Sequence, residues 1–529
     1  MHPYSLEMRQ IAAAAEERDR PAVVTPLAAI ADAVRGALRA DPEEVSTRRL
    51  RLLDTVDCRL TRLGWRLEAE PGGTGTEQWR LVSASGRVRA TAELPSPAPK
   101  LVDDLPEGPL YQALEPIAGI RALCPGPWIN LTEHRATLRD TESKVRCRLL
   151  AQTAVVDGNG DRRSAVRVGR LKGYKADAGR IAERISRHYG WSPSAPDPLA
   201  ALAESLHPGP KGAAYPSVTD PAEPAGPALR PVLQALLDTV EHRAEGAIAD
   251  IDCEELHDLR VAVRRSRSIL ALLRADPPDP ALERASAFFA WLGQVTGPAR
   301  DLDVHILDWR AHRRRVPEHA ADLEPLGRHM KAERDKAYTR LVRILQSKRF
   351  RDGVKRWRAT LDATNAPWAA SERALQPIGR LAGRRIRKLY RRAVEEGSAI
   401  TDASPDEALH ALRKTMKKLR YVFEIVRDAY PRKPVRAILK TLKELQQDLG
   451  DVQDTAVQAD ALRRFGEAMA RNDAAGPATL MAIGALAEDL ELRRADARTR
   501  FAAVFAPVAK PRFADRLRRL TRSRTGGGR

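Results

Sequence analysis

A twelve-residue stretch occurs twice in this chain, and that duplication limits what the second half can fold into. The first copy runs Leu256-His257-Asp258-Leu259-Arg260-Val261-Ala262-Val263-Arg264-Arg265-Ser266-Arg267. The second runs Leu409-His410-Ala411-Leu412-Arg413-Lys414-Thr415-Met416-Lys417-Lys418-Leu419-Arg420, 153 positions later and without a gap. The same offset pairs Gln294 with Gln447, Gly297 with Gly450 and Asp301 with Asp454. A register kept that far reads as an internal duplication.

Helix-start signals precede both copies. Ser404-Pro405-Asp406-Glu407 offers a serine cap, proline at the first helical position and an acid after it; Asp252 and Glu255 predict a reciprocal capping box. On a helix started there, His257, Arg260, Arg264 and Arg267 fall at i, i+3, i+7 and i+10, one stripe of a 3.6-residue repeat. His410, Arg413, Lys417 and Arg420 repeat it, while Leu256, Leu259, Val263 and Leu270 supply a neighbouring apolar stripe. Neighbours on such a stripe stand roughly 5–6 Å apart, a spacing suited to an extended polyanion. A basic stripe is commonly only a solvated face, but a solvated face does not require histidine at one fixed position in both copies. A satisfied structural role for the histidines stays open. A free imidazole titrates near roughly 6.5, so histidines touching phosphate would strengthen binding as pH falls.

The position of the charge matters more than its total of +20. Residues 1–227 hold 31 Lys and Arg against 29 Asp and Glu; residues 228–529 hold 59 against 41. A polyanion partner therefore belongs to the second half. Cys58, Cys124, Cys147 and Cys253 are scattered without Cys-x-x-Cys spacing, which predicts neither a disulfide framework nor a zinc site. Met1 to Gln10 shows no basic-then-apolar signal and no apolar run approaches 18 residues, so the expectation is a cytoplasmic protein without a membrane partner.

Residues 1–45 read as a helical extension, with Ala12–Ala15 and Leu27–Leu38 as helix formers. Alternating runs follow at Gly64–Glu68, Gln78–Val82, Arg87–Thr91, Thr132–Leu138, Lys144–Val155 and Ser164–Arg170, with turn residues at Pro71-Gly72-Gly73 and Ser85-Gly86. They predict antiparallel strands joined by hairpins, closed by a helix over about 176–188. Residues 191–227, rich in Pro, Ala and Gly, read as a linker. The fold class expected is α+β: an antiparallel β domain over 46–190, then an all-α duplicated bundle over 228–520, with repeats of about 228–370 and 371–520 and a basic tail at 521–529.

The segment Leu52-Leu53-Asp54-Thr55-Val56-Asp57-Cys58-Arg59-Leu60, Asp140-Thr141-Glu142-Ser143-Lys144-Val145 and Leu171-Lys172-Gly173-Tyr174 together resemble CYTH domains, which include triphosphate tunnel hydrolases. The resemblance implies a divalent metal held by an E-x-E-x-K strand. The start of this chain offers only Glu7 in Leu6-Glu7-Met8-Arg9, and the position of the family's later acidic pair falls near Arg148–Gln152, which has no carboxylate. Clustered carboxylates hold the metal in such chemistry, so the expectation is a degenerate domain without turnover, metal or cofactor. Arg49, Arg51, Arg66, Arg80, Arg89 and Arg139 remain as bases that could meet phosphate or simply line one side of a sheet.

The second half resembles the CHAD family. The match rests on the two "LH-x-LR-x3-(R/K)(R/K)-x-R" helices, the "LG…RDLD" stretch at 292–303 and "LGDVQD" at 449–454. The resemblance implies a basic groove between two pseudo-symmetric helical halves that binds inorganic polyphosphate, in some members on polyphosphate granules. The candidate contacts are His257, Arg260, Arg264, Arg265, Arg267, His410, Arg413, Lys417, Lys418 and Arg420, with Arg380, Arg384, Arg387, Lys388 and Arg391 from a stripe peculiar to the second repeat. Asp301, Asp303, Asp451 and Asp454 read as anchors for arginines. A hydrolase working through the first domain is the alternative. Nucleic acid ranks last, because the stripes carry no aromatics beyond Tyr390 and Tyr421.

Overall fold

The computed structural model describes residues 8–12, 38–41, 44–169, 171, 173–189, 192–193, 197–206 and 216–521. The chain divides into two compact units, Met1–Lys211 and Gly212–Arg529.

The first unit is an antiparallel sheet. Its strands are β1 (Met8–Ala12), β2 (Arg39–Ala40), β3 (Glu44–Thr55), β4 (Arg66–Pro71), β5 (Thr76–Val82), β6 (Val88–Pro95), β7 (Leu123–Arg139), β8 (Val145–Val156), β9 (Arg162–Gly169) and β10 (Ser192–Pro193). They lie in the order β10-β1-β9-β8-β7-β3-β4-β5-β6, with β2 against β7. Each alternating run singled out in the sequence overlaps a strand, β4 to β9; Gly64, Trp65, Arg87 and Lys144 precede theirs, and Arg170 lies outside the described residues. Among the described residues, four helices accompany them: α1 (Arg59–Arg62), α2 (Pro109–Ala118), α3 (Lys175–Tyr189) and α4 (Pro198–Leu206).

Two expectations are corrected here. The helical extension over 1–45 is contradicted at Met8–Ala12, which pairs with β9 from Met8↔Gly169 to Ala12↔Ala165. Helix-forming composition gives way there to the hydrogen bonds of an open strand edge. Residues 13–37, and with them most of that expectation, lie outside the described residues, as do Glu7 and Lys172. The linker over 191–227 also fails as a unit. Ser192–Pro193 pairs with β1, and Leu199, Leu202 and Ala203 of α4 pack on Leu50, Leu52, Ile129 and Leu131. Proline content hid an apolar helical face whose first residue, Pro198, sits where no backbone donor is needed.

The CYTH-like segment is a turn held by its own carboxylate. Asp54 accepts from the backbone N–H groups of Thr55 (2.7 Å), Leu60 (3.0 Å) and Thr61 (2.9 Å), while the Thr55 hydroxyl donates to Asp57 (2.8 Å). Asp140 does the same for the β7–β8 hairpin, accepting from the N–H groups of Glu142 and Lys144 and from Arg146.

Among the described residues of the second unit the regular elements are helices, joined by loops. Its helices are α5 (Ala225–Ile248), α6 (Cys253–Leu273), α7 (Pro280–Val295), α8 (Gly297–Leu307), α9 (Trp309–Arg315), α10 (Glu324–Leu345), α11 (Lys348–Asp362), α12 (Glu372–Leu375), α13 (Ile378–Ser398), α14 (Asp406–Ile425), α15 (Arg432–Arg471), α16 (Pro477–Ala509) and α17 (Pro511–Thr521). The duplication extends to helix starts: α5 and α13, α6 and α14, and α10 and α16 each begin 153 residues apart. The one long helix α15 corresponds to three in the first repeat, where Gly297-Pro298 divides α7 from α8 and Asp308 divides α8 from α9. Proline removes a backbone donor and crowds the preceding turn; its counterpart in α15 is Asp451, which does neither.

One core joins the repeats, with Leu256, Leu259 and Val263 in the same cluster as Leu409, Leu412 and Met416. A satellite cluster holds Leu326, Met330, Leu462, Met469 and Leu486. The predicted caps are partly replaced. Asp252 caps α6 by accepting from Glu254 N–H (2.7 Å), but Glu255 does not complete the box; its buried carboxylate takes Arg243 of α5 (2.6 Å). Helix α14 starts after Pro405, Ser404 accepts from Thr401 N–H, and Asp406 is held by Arg494 and Arg498.

Candidate functional site

The basic stripes of α6 and α14 come together. Arg264 Nε of the first repeat donates to the Tyr421 hydroxyl of the second (3.2 Å), and Arg265 pairs with Glu424 (3.3 Å). Glu424 also takes Arg420 (2.6 Å), which reaches on to Gln446 (3.0 Å). One carboxylate thus ties bases from both copies. Arg413 grips Asp454 with both terminal nitrogens (2.8 and 3.3 Å). Its counterpart Arg260 donates instead to the Gly293 carbonyl and the Thr296 hydroxyl, both at 2.9 Å. The matched glycines lie alike, Gly297 beside Arg260 and Gly450 beside Arg413.

The cluster holds more positive charge than its own carboxylates offset. Among the described residues, the acids set against Arg260, Arg264, Arg413, Lys417 and Arg420 are Asp301, Glu424 and Asp454. The strain shows at Lys417, whose ammonium is pushed down to about 8 by burial, then by Arg413 and Arg264, with Asp454 opposing and Arg420 adding to the effect. Arg260 is lowered too, by burial and then by Arg264 and Arg300 against Asp301. That Arg264 of one repeat depresses Lys417 of the other places the two stripes on one face. His257 and His410 are both half-buried on that face, and the His410 Nδ1 atom is buried without a hydrogen-bond partner. Arg267 is exposed and lies near Gly293.

The stripe peculiar to the second repeat does not join this cluster as a unit. Arg387 is spent on the last helix, donating to the Thr521 carbonyl (2.7 Å) and hydroxyl (3.2 Å). Tyr390, one turn away, is buried and donates to the Val508 carbonyl (2.8 Å). Arg384 donates to Gln376, and Arg380 is exposed. Lys388 and Arg391, together with Lys418 of α14, line a separate cavity of about 320 Å³ that also includes Arg385 and Arg392. Arg385 was not foreseen; its spacing of three from Lys388 was the available signal.

Of the four acids read as anchors, Asp454 holds Arg413 and the buried Asp303 holds Arg334 (2.8 Å) and the Tyr338 hydroxyl (2.8 Å). Asp301 lies in the field of Arg260 and Arg300, whereas Asp451 accepts from Gln447 (3.2 Å) rather than from an arginine.

In the first unit the bases singled out in the sequence are, apart from Arg89, matched by carboxylates. On one face of the sheet Arg48 pairs with Glu70 (2.6 Å), Arg80 with Glu68 (2.8 Å) and Glu70, and Arg66 with Glu68 (2.6 Å) and Asp197 (3.1 Å), which also takes Arg167. Glu133 lies beside Gln152, accepting from its amide (2.7 Å). A carboxylate therefore does reach the place where the sequence showed none, from the neighbouring strand through the pairing Glu133↔Gln152. Burial raises Glu70, with Arg48 opposing and Glu68 and Glu133 adding to the rise. Elsewhere Arg49 pairs with Asp157, Arg51 with Glu77 and Arg139 with Asp41, while Arg89 stacks over Trp65. Among the described residues no group of three or more His, Cys, Asp or Glu side chains could hold a metal ion. No described helix is long and apolar enough to cross a membrane.

Residues 231–463 match the model of the CHAD domain. Several solved structures are similar, three of them as follows. The crystal structure of the CHAD domain from the plant Ricinus communis shares 24% identity and a TM-score of 0.46, covering 56% of this chain and 95% of its own. PptA from Streptomyces chartreusis shares 19% and 0.39, covering 54% of this chain and 100% of its own. A candidate adenylate cyclase from Bacillus halodurans shares 13% and 0.20, covering 31% of this chain and 96% of its own. No curated protein matches the chain.

Proposed function

We propose that the CHAD-like residues 231–463 bind inorganic polyphosphate along the face where α6 meets α14, as a binding protein rather than a hydrolase. The observation that carries this reading is Lys417. A half-buried ammonium held down to about 8, first by burial and then by arginines of both repeats, marks positive charge gathered without enough internal counter-charge. Bringing bases together costs electrostatic energy, and an extended polyanion lying along both stripes relieves it. The resemblance of the two basic helices to CHAD sequences supplies the identity of the polyanion. Association with polyphosphate granules would follow from the same affinity.

A polyphosphate chain is preferred over nucleic acid because the aromatic rings near the bases are committed. Tyr390 is buried and Tyr421 accepts from Arg264, whereas single-stranded nucleic acid is gripped by stacking on open aromatic rings. The first unit supports a role without turnover: the bases Arg48, Arg66 and Arg80 on its sheet face already hold Glu68, Glu70 and Asp197, which leaves neither an anion nor a metal uncommitted partners among them. The experiment is competition for the purified chain among long polyphosphate, tripolyphosphate, DNA and RNA at physiological salt. Preferential binding of long polyphosphate is expected; equal or stronger retention of DNA or RNA defeats the reading.

A further inference from the structure

The cavity between α13 and α14 shares no lining residue with the α6–α14 face. Arg385, Lys388, Arg391 and Arg392 come from α13, and Thr415 and Lys418 from α14. Thr415 and Lys418 stand three apart, on the edge of α14 turned towards α13. Lys417 does not line the cavity and lies instead in the field of Arg413 and Arg264.

The duplication does not account for this cavity. At the same offset, the first repeat has Val232, Ala235, Asp238 and Thr239 in place of the four bases of α13. Its counterpart of Lys418 is Arg265, which is spent on Glu424. Four bases in one copy facing none in the other is a local feature, not an inheritance from the repeat.

Positive charge is in excess here. Glu395 also lines the cavity, and Arg392 is tied to Glu396 (2.6 Å). Among the described residues, those two acids leave three of the five bases without a carboxylate. Arg385 is half-buried, and both burial and Arg392 press its guanidinium towards neutrality. Holding a desolvated guanidinium among like charges is unfavourable unless an anion completes the site. At about 320 Å³ the cavity lies near the lower end of the ~300–1,000 Å³ typical of small-molecule sites, too small for a large ligand. Arginine forks with flanking ammonium groups are the recognition set for phosphate oxygens.

We propose that this cavity is a separate site for a compact diphosphate group, presented either as free pyrophosphate or by a nucleoside diphosphate. It shares no residue with the polyphosphate face and stands independently of that reading.

The test titrates the full chain with pyrophosphate and, separately, with ADP, by calorimetry at physiological salt. Wild type should bind at one equivalent, and Arg385→Gln and Lys418→Gln should each weaken binding about 10-fold, as expected for removing one charge-assisted hydrogen bond. Lys417→Gln should leave it unchanged while weakening long polyphosphate. Binding of ADP alone identifies the nucleotide as the source; binding of both identifies the diphosphate itself. Because Arg385 is half-buried, the exposed Arg391→Gln provides a second variant without risk to the fold. The proposal fails if neither probe binds, or if Lys417→Gln weakens the probes as much as the cavity variants do. Diphosphate binding without long-polyphosphate binding would refute the earlier reading and leave this one standing.

Discussion

Lys417 gives the most direct prediction, because its charge is held at a threshold. With the group at about 8, roughly nine-tenths of the protein carries the ammonium at pH 7 and about one-tenth at pH 9. A polyanion touching Lys417 binds the charged form, so it must recruit a proton as pH rises. Affinity for polyphosphate should therefore fall as pH rises through 8, by about 10-fold between pH 7 and 9, or ~1.4 kcal/mol. Lys417→Arg keeps the charge throughout that range and should remove the fall while preserving affinity at pH 7. The assay is calorimetric titration of long polyphosphate in buffers of differing ionisation enthalpy. At pH 8 wild type should take up a fraction of a proton per site and the arginine variant none. If Lys417→Arg shows the same pH slope and proton uptake as wild type, the lysine does not meet the ligand and the face assigned to polyphosphate is wrong.

Replacing Arg260 and Arg264 together by Ala, or Arg413 and Lys417 together, should flatten the salt dependence of polyphosphate binding by about one unit of log–log slope for each phosphate no longer neutralised; an unchanged slope for either pair removes that repeat from the site. His305 and His312 are buried, and burial lowers them to about 4 and about 3, with Arg464 adding at His305 and Arg315 and then His305 at His312. Both stay neutral in the fold while the unfolded chain protonates below roughly 6.5, so stability is full above that value and is lost as pH falls towards 4. The loss at pH 5 should be about 2 kcal/mol per histidine, seen as a steeper drop in urea stability than in His305→Gln/His312→Gln. An added methyl at Gly353 would run into the Phe288 ring, whereas Gly484 has open space; Gly353→Ala should cost about 1–3 kcal/mol in thermal unfolding and Gly484→Ala should stabilise by up to ~1 kcal/mol. No phosphate should be released from tripolyphosphate with magnesium or manganese, checked by phosphate assay; metal-dependent release abolished by Glu68→Gln or Glu70→Gln would reverse the non-catalytic reading.

The second half was legible because its two signals reinforce one another. A helical period places Leu256, Leu259 and Val263 inside, and the exact repeat of 153 residues carries the same statement to Leu409, Leu412 and Met416. Strands β4 to β9 of the first half were legible from alternation, whereas β1, β2, β3 and β10 were not. What could not be read was the partner of each charge. The sequence offers Glu255 as a capping residue, but Arg243 one helix earlier takes its carboxylate. The periodicity sets Arg387 and Lys388 on one stripe, yet one grips Thr521 and the other faces the cavity. The α4 helix was missed because turn-forming composition dominates residues 191–227, and its burial depends on a sheet face assembled from strands far away in the chain.

The Asp54 turn bears on how such a chain is recognised at all. Its carboxylate gathers three amide protons and lets Cys58 adopt a left-handed backbone (φ 55°) at the start of α1. That job is mechanical: it bends a strand into a helix whatever the neighbouring face does. A sequence signature built on this aspartate therefore tracks the shape of a corner. The corner can persist whether or not the face beside it carries catalytic groups.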